Sequence, residues 1–163
     1  MAVTRILSIF ISLLAVIAVV FALLGWWSAR VAPAAAGVRN GRLAQCLSAP
    51  HCVCSDAGTS SDNGHWVEPI ALPSLPDEVR WRVIREVLAA SGATIVGEEA
   101  GYLHATYTSG LFRFVDDLEL RMDNTHLQLR SSSRVGYSDL GANRQRVEDL
   151  RRRLGSAFTD VKS

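Results

Sequence analysis

The chain has 163 residues, of which 48% are hydrophobic and 20% are charged, and its formal net charge is +1. This length suits one hydrophobic core with an appendage and excludes two full domains. The balanced charge gives no whole-molecule field for nucleic acid or for a strongly acidic partner, so no nucleic-acid partner is expected. In chain order the predicted regions are a membrane anchor, a tether with a cysteine-containing loop and an α+β domain, at residues 1–31, 32–64 and 65–163.

The first region predicts a single membrane-spanning helix. Residues 6–27 carry no charge, and apart from the two tryptophans at the end their only polar side chains are two serines. A helix of this length crosses the roughly 30 Å of bilayer hydrocarbon. Trp26 and Trp27 stand where interfacial aromatic residues belong. A cleaved signal peptide is the alternative, because residues 34–36 are three alanines, but the apolar core of a signal peptide has about 7 to 15 residues.

The orientation of this helix depends on opposing signals. Three arginines soon after the helix outnumber the one before it, and a positive-inside count would leave the domain in the cytoplasm. The short segment before the helix and a possible bridge between Cys46 and Cys52 favour the opposite orientation. We expect a single-pass protein of a bacterial inner (cytoplasmic) membrane with its domain in the periplasm.

Residues 32–64 are rich in small and polar residues and have no hydrophobic period, which is typical of a tether and loop. The loop contains Cys46, Cys52 and Cys54. Their C-x5-C-x-C spacing does not match common zinc patterns. A disulfide between Cys46 and Cys52 is favoured over reduced thiols and over a metal site, and no metal or cofactor is expected.

The domain is predicted to begin with an edge strand at residues 66–70, because Pro69 has no N–H for a central ladder. Ser74 is the predicted N-cap of a helix that ends at Gly92. Four strands with short, antiparallel connections follow at residues 94–98, 102–108, 112–123 and 126–134. The inward side chains of this helix are predicted to be Trp81, Ile84, Val87 and Leu88.

A last helix is predicted at residues 142–154, with an apolar stripe toward the sheet. Helices before and after one antiparallel sheet predict a two-layer α+β domain of about four to five strands packed against two helices. The inward residues of the last helix are Val147, Leu150 and Leu154.

Alternation of side chains predicts how the third and fourth strands of the domain pair. Their apolar residues share one face only if Leu120 lies opposite Leu129. That register places Glu119 opposite Arg130 on the outer face of the sheet. It also places Asp116 opposite Ser133, pointing inward.

An inward carboxylate at Asp116 needs a partner, because burial of an unpaired charge costs several kcal/mol. The first interpretation is a structural polar network of Arg113, Asp116, Asp117 and Glu119, in which Arg113, Arg130, Arg134 or Arg144 pairs with Asp116, or a β-bulge at residues 116–117. The alternative is a carboxylate- or metal-assisted hydrolase that uses Asp116, Asp117 and Glu119. Alternation puts Asp116 on the opposite face from the other two, which argues against one shared metal.

A second polar cluster surrounds the loop at residues 136–144, which leads into a helix. Exposed amides at a helix start attract anions, and Arg134 with Arg144 would hold a carboxylate or phosphate there. Alternatively, Ser138 or Asp139 caps the helix and fills that place. The candidate ligand-binding residues are Arg130, Ser131, Ser133, Arg134, Asp139, Asn143 and Arg144.

Three runs of the sequence, CLSAPHCVCS, FRFVDDLELR and RSSSRVGYSDLGANRQRVEDLR, resemble family 1499 of the domains of unknown function. The resemblance extends from Cys46 to about Leu154. It implies a mostly bacterial, often exported or membrane-bound protein, and it implies no reaction. Cys54 departs from the pattern, where a serine is more typical.

These observations together predict a membrane-anchored envelope domain that binds a partner protein or an anionic small molecule or headgroup. No Ser-His-Asp order, phosphate loop or dinucleotide motif is present in the sequence. The hydrolase is the alternative function.

Overall fold

The structure is a computed structural model that describes residues 2–33, 36–46, 50–56 and 64–162. The alternative cleavage position at residues 34–36 lies largely outside them. The chain folds as an α+β protein, as predicted, with six strands in its main sheet rather than four to five. Its elements are α1 (Ala2–Ser28), β1 (Val38–Arg39), β2 (Arg42–Leu43), β3 (Cys52–Cys54), β4 (Ile70–Ala71), α2 (Asp77–Ala90), β5 (Thr94–Glu99), β6 (Tyr102–Thr108), β7 (Val115–Met122), β8 (His126–Ser133) and α3 (Ala142–Lys162).

Helix α1 is long and apolar enough to cross a membrane. The candidate span within it, Val3–Ser28, has 26 residues and extends about 39 Å at the usual helical rise. The most apolar part of the helix is not buried against the protein. Its large apolar side chains are exposed along its length.

The main sheet has the strand order β3-β8-β7-β6-β5, and β4 pairs with β8 beside this path. Its named strands all pair antiparallel. The predicted register is confirmed, because Leu120 pairs with Leu129 and Asp116 with Ser133. The pairing of β7 with β8 has no shift, so the bulge considered at residues 116–117 is absent. The edge strand predicted at residues 66–70 is reduced to β4 and one bridge.

Helices α2 and α3 cover one face of the sheet and bury its leucines. The prediction of Ser74 as N-cap was wrong: Pro76 occupies that position, without a side-chain cap, and its φ is already suited to a helix start. Helix α3 continues past its predicted end at Leu154. Gly155 costs the helix about 1 kcal/mol, but burial of Phe158 in the core outweighs that cost.

The other face of the sheet is covered by the chain that follows α1. We call residues 28–33 and 36–43 the strap. It runs along β7, and its backbone and one serine make hydrogen bonds to four residues of the folded domain. Residues 42–46 and 50–56, predicted as part of the tether and loop, belong to the folded part, and the second of these segments includes β3. The strap shows no hydrophobic period in the sequence because most of the contacts that hold it are hydrogen bonds and only Leu43 adds a buried apolar side chain among its described residues. The hydrogen bonds join Ser28 to Val115, Val31 to Arg134, Gly37 to Glu119, and Leu43 to Asp56.

Candidate functional site

Glu119 and Arg130 form an ion pair at the centre of the face beneath the strap. Arg130 Nη1 lies 2.6 Å from Glu119 Oε2, and the two residues are 0% and 4% exposed. The pairing was predicted correctly, but the prediction that it lies on an outer face was wrong. The strap covers this face, and the backbone N–H of Gly37 donates to Glu119 Oε1 over 2.6 Å.

Tyr102 completes the coordination of Glu119. Its hydroxyl donates to Glu119 Oε1 over 2.8 Å. Burial, followed by the negative charge of Glu119, raises the pKa of Tyr102 well above its ordinary value. The phenol therefore stays neutral and remains a donor. Glu119 thus has three partners and no side-chain surface for a substrate.

Asp117 forms a second ion pair on the same face. Arg134 binds both of its oxygens at 2.8 Å, and His104 Nε2 lies 2.8 Å from Oδ1. Burial alone would raise the pKa of Asp117, but hydrogen bonds from His104 and Arg134 lower it below the ordinary value. Arg134 also donates to the carbonyl of Val31 in the strap. Asp117 is therefore an ionised, enclosed carboxylate that helps to fix the strap.

A third pair, between Asp56 and Arg121, was missed by sequence reasoning. Arg121 binds both oxygens of Asp56 at 3.0 Å, and the backbone N–H of Leu43 donates to Oδ2 over 2.8 Å. Arg121 could have been found, because it shares the face of Asp117 and Glu119 at strand spacing. Asp56 lies 65 positions away in the chain, and no local signal indicates the contact.

Asp116 points to the helical face, as predicted, but its predicted partners were wrong. Its partner is Arg146 of α3, whose Nη2 lies 2.6 Å from Asp116 Oδ2. Arg146 also donates to Ser131 and Asn143 and lies 4.7 Å over the ring of Tyr107. Arg146 lies next to the buried Val147, at the edge of the helix face that packs on the sheet. Its long side chain can therefore reach Asp116. None of Arg113, Arg130, Arg134 and Arg144 pairs with Asp116.

Three predicted ligand-binding residues satisfy one another around this arginine. Ser131 Oγ donates to Asn143 Oδ1 over 2.6 Å, and Asn143 Nδ2 donates to Ser133 Oγ and to the carbonyl of His51 over 3.0 and 2.9 Å. Asn143 is fully buried. These bonds join the start of α3 to β8 and to the loop before β3, which is a structural task.

The predicted anion site at the start of α3 is filled by the protein itself. Asp139 accepts hydrogen bonds from the backbone N–H groups of Gly141 and Asn143. Burial opposes ionisation of Asp139, but these bonds lower its pKa below the ordinary value. Arg144 donates to the carbonyls of Gly64 and Trp66, whereas Arg134 holds Asp117. The structure therefore does not bring Arg134 and Arg144 to one ligand.

Arg113 is the one member of the predicted polar network that takes no part in it. It lies exposed in the β6–β7 loop, with the left-handed φ of 61° that few non-glycine residues adopt. Asp116, Asp117 and Glu119 are divided between the two faces of β7. Within the described residues, no group of three His, Cys, Asp or Glu side chains could hold a metal ion.

The cysteines lie where the loop enters the sheet. Cys46 and Cys52 form a disulfide with a Cα–Cα distance of 5.5 Å. Cys54 is buried and outside any disulfide. The bond joins β3 to the segment that follows β2. It therefore ties the end of the strap to the edge of the main sheet.

The loop between β8 and α3 exposes two large apolar residues that sequence reasoning did not select. Tyr137 is 79% and Leu140 97% exposed. Leu140 has a left-handed φ of 54°, which is strained for a leucine. The Asp139 cap and a bond from Leu140 N–H to Ser138 Oγ hold this conformation. Two apolar residues in a glycine-bounded loop were the available signal.

The fold and these contacts define an α+β protein with an N-terminal helix of membrane-spanning length and a sheet face sealed by buried ion pairs. A family model described as "Protein of unknown function (DUF1499)" matches residues 42–154. The chain belongs to this family, as the resemblance implied. Comparisons with curated proteins and with solved structures gave no match.

The Asp116–Arg146 pair yields a first prediction, on stability. Asp116→Ala leaves the guanidinium of Arg146 largely enclosed without its carboxylate, and should lower the free energy of unfolding by about 2 to 4 kcal/mol. Thermal and urea denaturation measure the loss. Asp149→Ala, which removes a carboxylate from surface pairs of α3, is the control and should melt close to the parent protein. Equal melting of all three proteins would refute a structural role for Asp116.

The lowered pKa of Asp117 yields a second prediction, on acid stability. Its folded pKa lies below the unfolded value of about 3.9, so its stabilisation is complete above that value and is lost as the pH falls through the folded pKa. Asp117→Asn should therefore be less stable at neutral pH and lose less on acidification. Urea unfolding between about pH 2 and 7 compares the slopes. Parallel pH profiles for the two proteins would contradict the assignment.

Proposed function

We propose that this protein is a membrane-anchored binding module of the bacterial envelope that recognises a partner protein at the membrane surface. The observation that carries the proposal is the β8–α3 loop, which exposes Tyr137 and Leu140 while the charged residues nearby are engaged within the fold. Large apolar side chains on a fixed loop are costly to leave in water and are typical of interaction sites.

The enclosed carboxylates favour binding over hydrolysis. Asp117 and Glu119 are 1% and 0% exposed and are neutralised by arginines, and Asp116 lies on the other face with Arg146. A hydrolase needs carboxylates that converge on an accessible cleft. An anionic ligand is also less favoured than a protein, because Asp139 already occupies the start of α3.

Preorganisation supports a protein partner. The loop is anchored at one end by the Asp139 cap and at the other by Arg134, so its tip loses little freedom on binding. Tyrosine supplies a large contact area at a low entropic cost and is enriched among residues that dominate binding energies.

The position of the loop supports a partner at the membrane surface. The loop leaves β8 after Ser133, which pairs with Asp116 near the start of β7. Helix α1 arrives at this end of the sheet, because Ser28 contacts Val115 and Val31 contacts Arg134. If α1 crosses the membrane, the loop lies near its surface.

The disulfide supports a domain outside the cytoplasm, in the periplasm of a bacterium whose inner membrane holds α1. Disulfides persist in oxidising compartments and are rare in the cytoplasm. The bond between Cys46 and Cys52 closes only a short loop, so it adds little to the stability of the fold.

A third prediction tests the compartment. In protein freshly isolated from native membranes, Cys46 and Cys52 should resist thiol labelling until reduction, and Cys54, being buried, until unfolding. Peptide mapping by mass spectrometry assigns the labels. Cys52→Ala is the control and should make Cys46 reactive without reduction. Immediate labelling of both cysteines in the unaltered protein would place the domain in the cytoplasm.

A fourth prediction tests the binding surface. A photoreactive benzoylphenylalanine at Tyr137, in the full chain in its native membrane, should give a discrete cross-link to a second protein. Leu140→Asp should abolish the product, because it places a charge on the exposed tip without disturbing the core. Val96→Asp, at an exposed apolar residue of edge strand β5, is the matched control and should keep it. Cross-links to lipid alone, or a product indifferent to Leu140→Asp, would reject this surface.

A further inference from the structure

The β6–β7 loop, residues 109–114, is a fixed structure with an apolar tip. The backbone N–H of Ser109 donates to the carbonyl of Phe114 over 2.8 Å, and the N–H of Phe114 donates to Ser109 Oγ over 2.9 Å. These bonds close the loop. Leu111 stands at the tip and is 82% exposed, a large apolar side chain that nothing in the described part of the chain covers.

This loop packs directly on the membrane-length helix. The ring of Phe21 lies 5.1 Å from the ring of Phe112 and 6.2 Å from that of Phe114, between centroids. At Gly25 the helix approaches so closely that a Cβ atom would overlap the carbonyl oxygen of Phe112. Only glycine permits this approach.

The contacts place the loop at the depth of the apolar part of α1. Trp26 and Trp27 are exposed at the end of the helix, and the guanidinium of Arg30 lies 3.7 Å over the Trp26 ring. Aromatic residues beside a cation are typical of the level of the lipid headgroups. Phe21 lies five residues earlier, about 8 Å deeper along the helix, and the phenylalanines of the loop reach it.

We infer that the β6–β7 loop inserts into the lipid bilayer beside α1, at the boundary between headgroups and acyl chains. The inference goes beyond the proposed partner binding and rests on α1 crossing the membrane. Its direct support is the exposure of Leu111 next to rings that already pack on a helix facing lipid. An isolated apolar residue on a water-exposed surface would not adjoin an apolar surface of this kind, formed by the loop phenylalanines and α1.

Arg113 fits this position. It follows the apolar tip, is exposed, and has no ion-pair partner among the described residues. A guanidinium at the edge of an inserted loop extends toward headgroup phosphates while its stem stays in the apolar layer. The loop and α1 together would hold the domain in a fixed orientation on the membrane.

The test uses the full chain in vesicles of phosphatidylcholine and phosphatidylglycerol. Leu111→Cys is labelled without reduction by an environment-sensitive fluorophore, since the native cysteines are bridged or buried. Acyl-chain-brominated lipids should quench most of its emission, and aqueous iodide should quench little. Asn124→Cys, exposed at the opposite end of the sheet, is the matched control and should show the reverse. Quenching of the Leu111 label by iodide as for Asn124 overturns the inference.

A label at Ala15→Cys in the middle of α1 separates the two claims. Lipid quenching at Ala15 with none at Leu111 leaves the spanning helix intact and overturns the inserted loop. Absence of lipid quenching at both positions overturns both. Concentration-dependent shielding of Leu111 without lipid quenching indicates contact between copies of the chain and also overturns it.

Gly25→Leu tests the packing behind the insertion. The added side chain overlaps the loop backbone at Phe112, so the emission of a Leu111 label should shift toward its value in water while that of an Ala15 label stays unchanged. Ala22→Leu, at an exposed position of the same helix, is the control and should leave both labels in lipid. An unshifted Leu111 emission in Gly25→Leu would show that α1 does not position the loop.

Discussion

The buried ion pair between Glu119 and Arg130 is the constraint on which the rest of the structure depends. Removing two charges from water costs several kcal/mol for each ion unless every oxygen and N–H finds a partner. Glu119 obtains its partners from three directions: Arg130 in the adjacent strand β8, Tyr102 in the adjacent strand β6, and the backbone of Gly37 above the sheet. Gly37 belongs to the strap. If the strap lifted away, Glu119 Oε1 would lose the hydrogen bond from the Gly37 N–H while its carboxylate stayed largely buried. The charge pair therefore couples α1, through the strap, to the folded domain.

The pairing of buried charges also limits which residues are accessible to a ligand or partner. Several carboxylates and arginines form ion pairs within the fold: Asp117 with Arg134, Asp56 with Arg121, and Asp116 with Arg146. Tyr137, Leu140 and Leu111, which are large and highly exposed, lie instead in the two loops at the end of the sheet that α1 approaches. One of these loops packs on the helix and the other stands beside its exit. The buried ion pairs thus hold the strap and α3 against the sheet, whereas the two exposed loops are available for contact with other molecules.

Prediction from the sequence succeeded where short-range periodicity controls the outcome. Strand period two and the turn near Asn124 required Leu120 to oppose Leu129, because a slip by one residue would turn every leucine to the wrong face. It failed at the ends of helices, where another feature of the chain outweighed a single local rule. Helix α3 was predicted to end at Leu154, yet it continues through Gly155 because Phe158 gains more by burial. Ser74 was an ordinary N-cap, yet the helix begins after Pro76, whose backbone is already prepared for it.

The sequence by itself determined the α+β class, the membrane-length helix, the register of β7 with β8 and the pairing of Glu119 with Arg130, since each follows from side-chain period, length or strand adjacency. The tertiary structure alone decided that the strap covers the second face, that Arg146 rather than another arginine reaches Asp116, and that Asp56 meets Arg121. These contacts join residues far apart in the chain. Backbone amides and charges can pair with many partners at similar cost, so only the packed arrangement of the sheet, α3 and the strap selects among them.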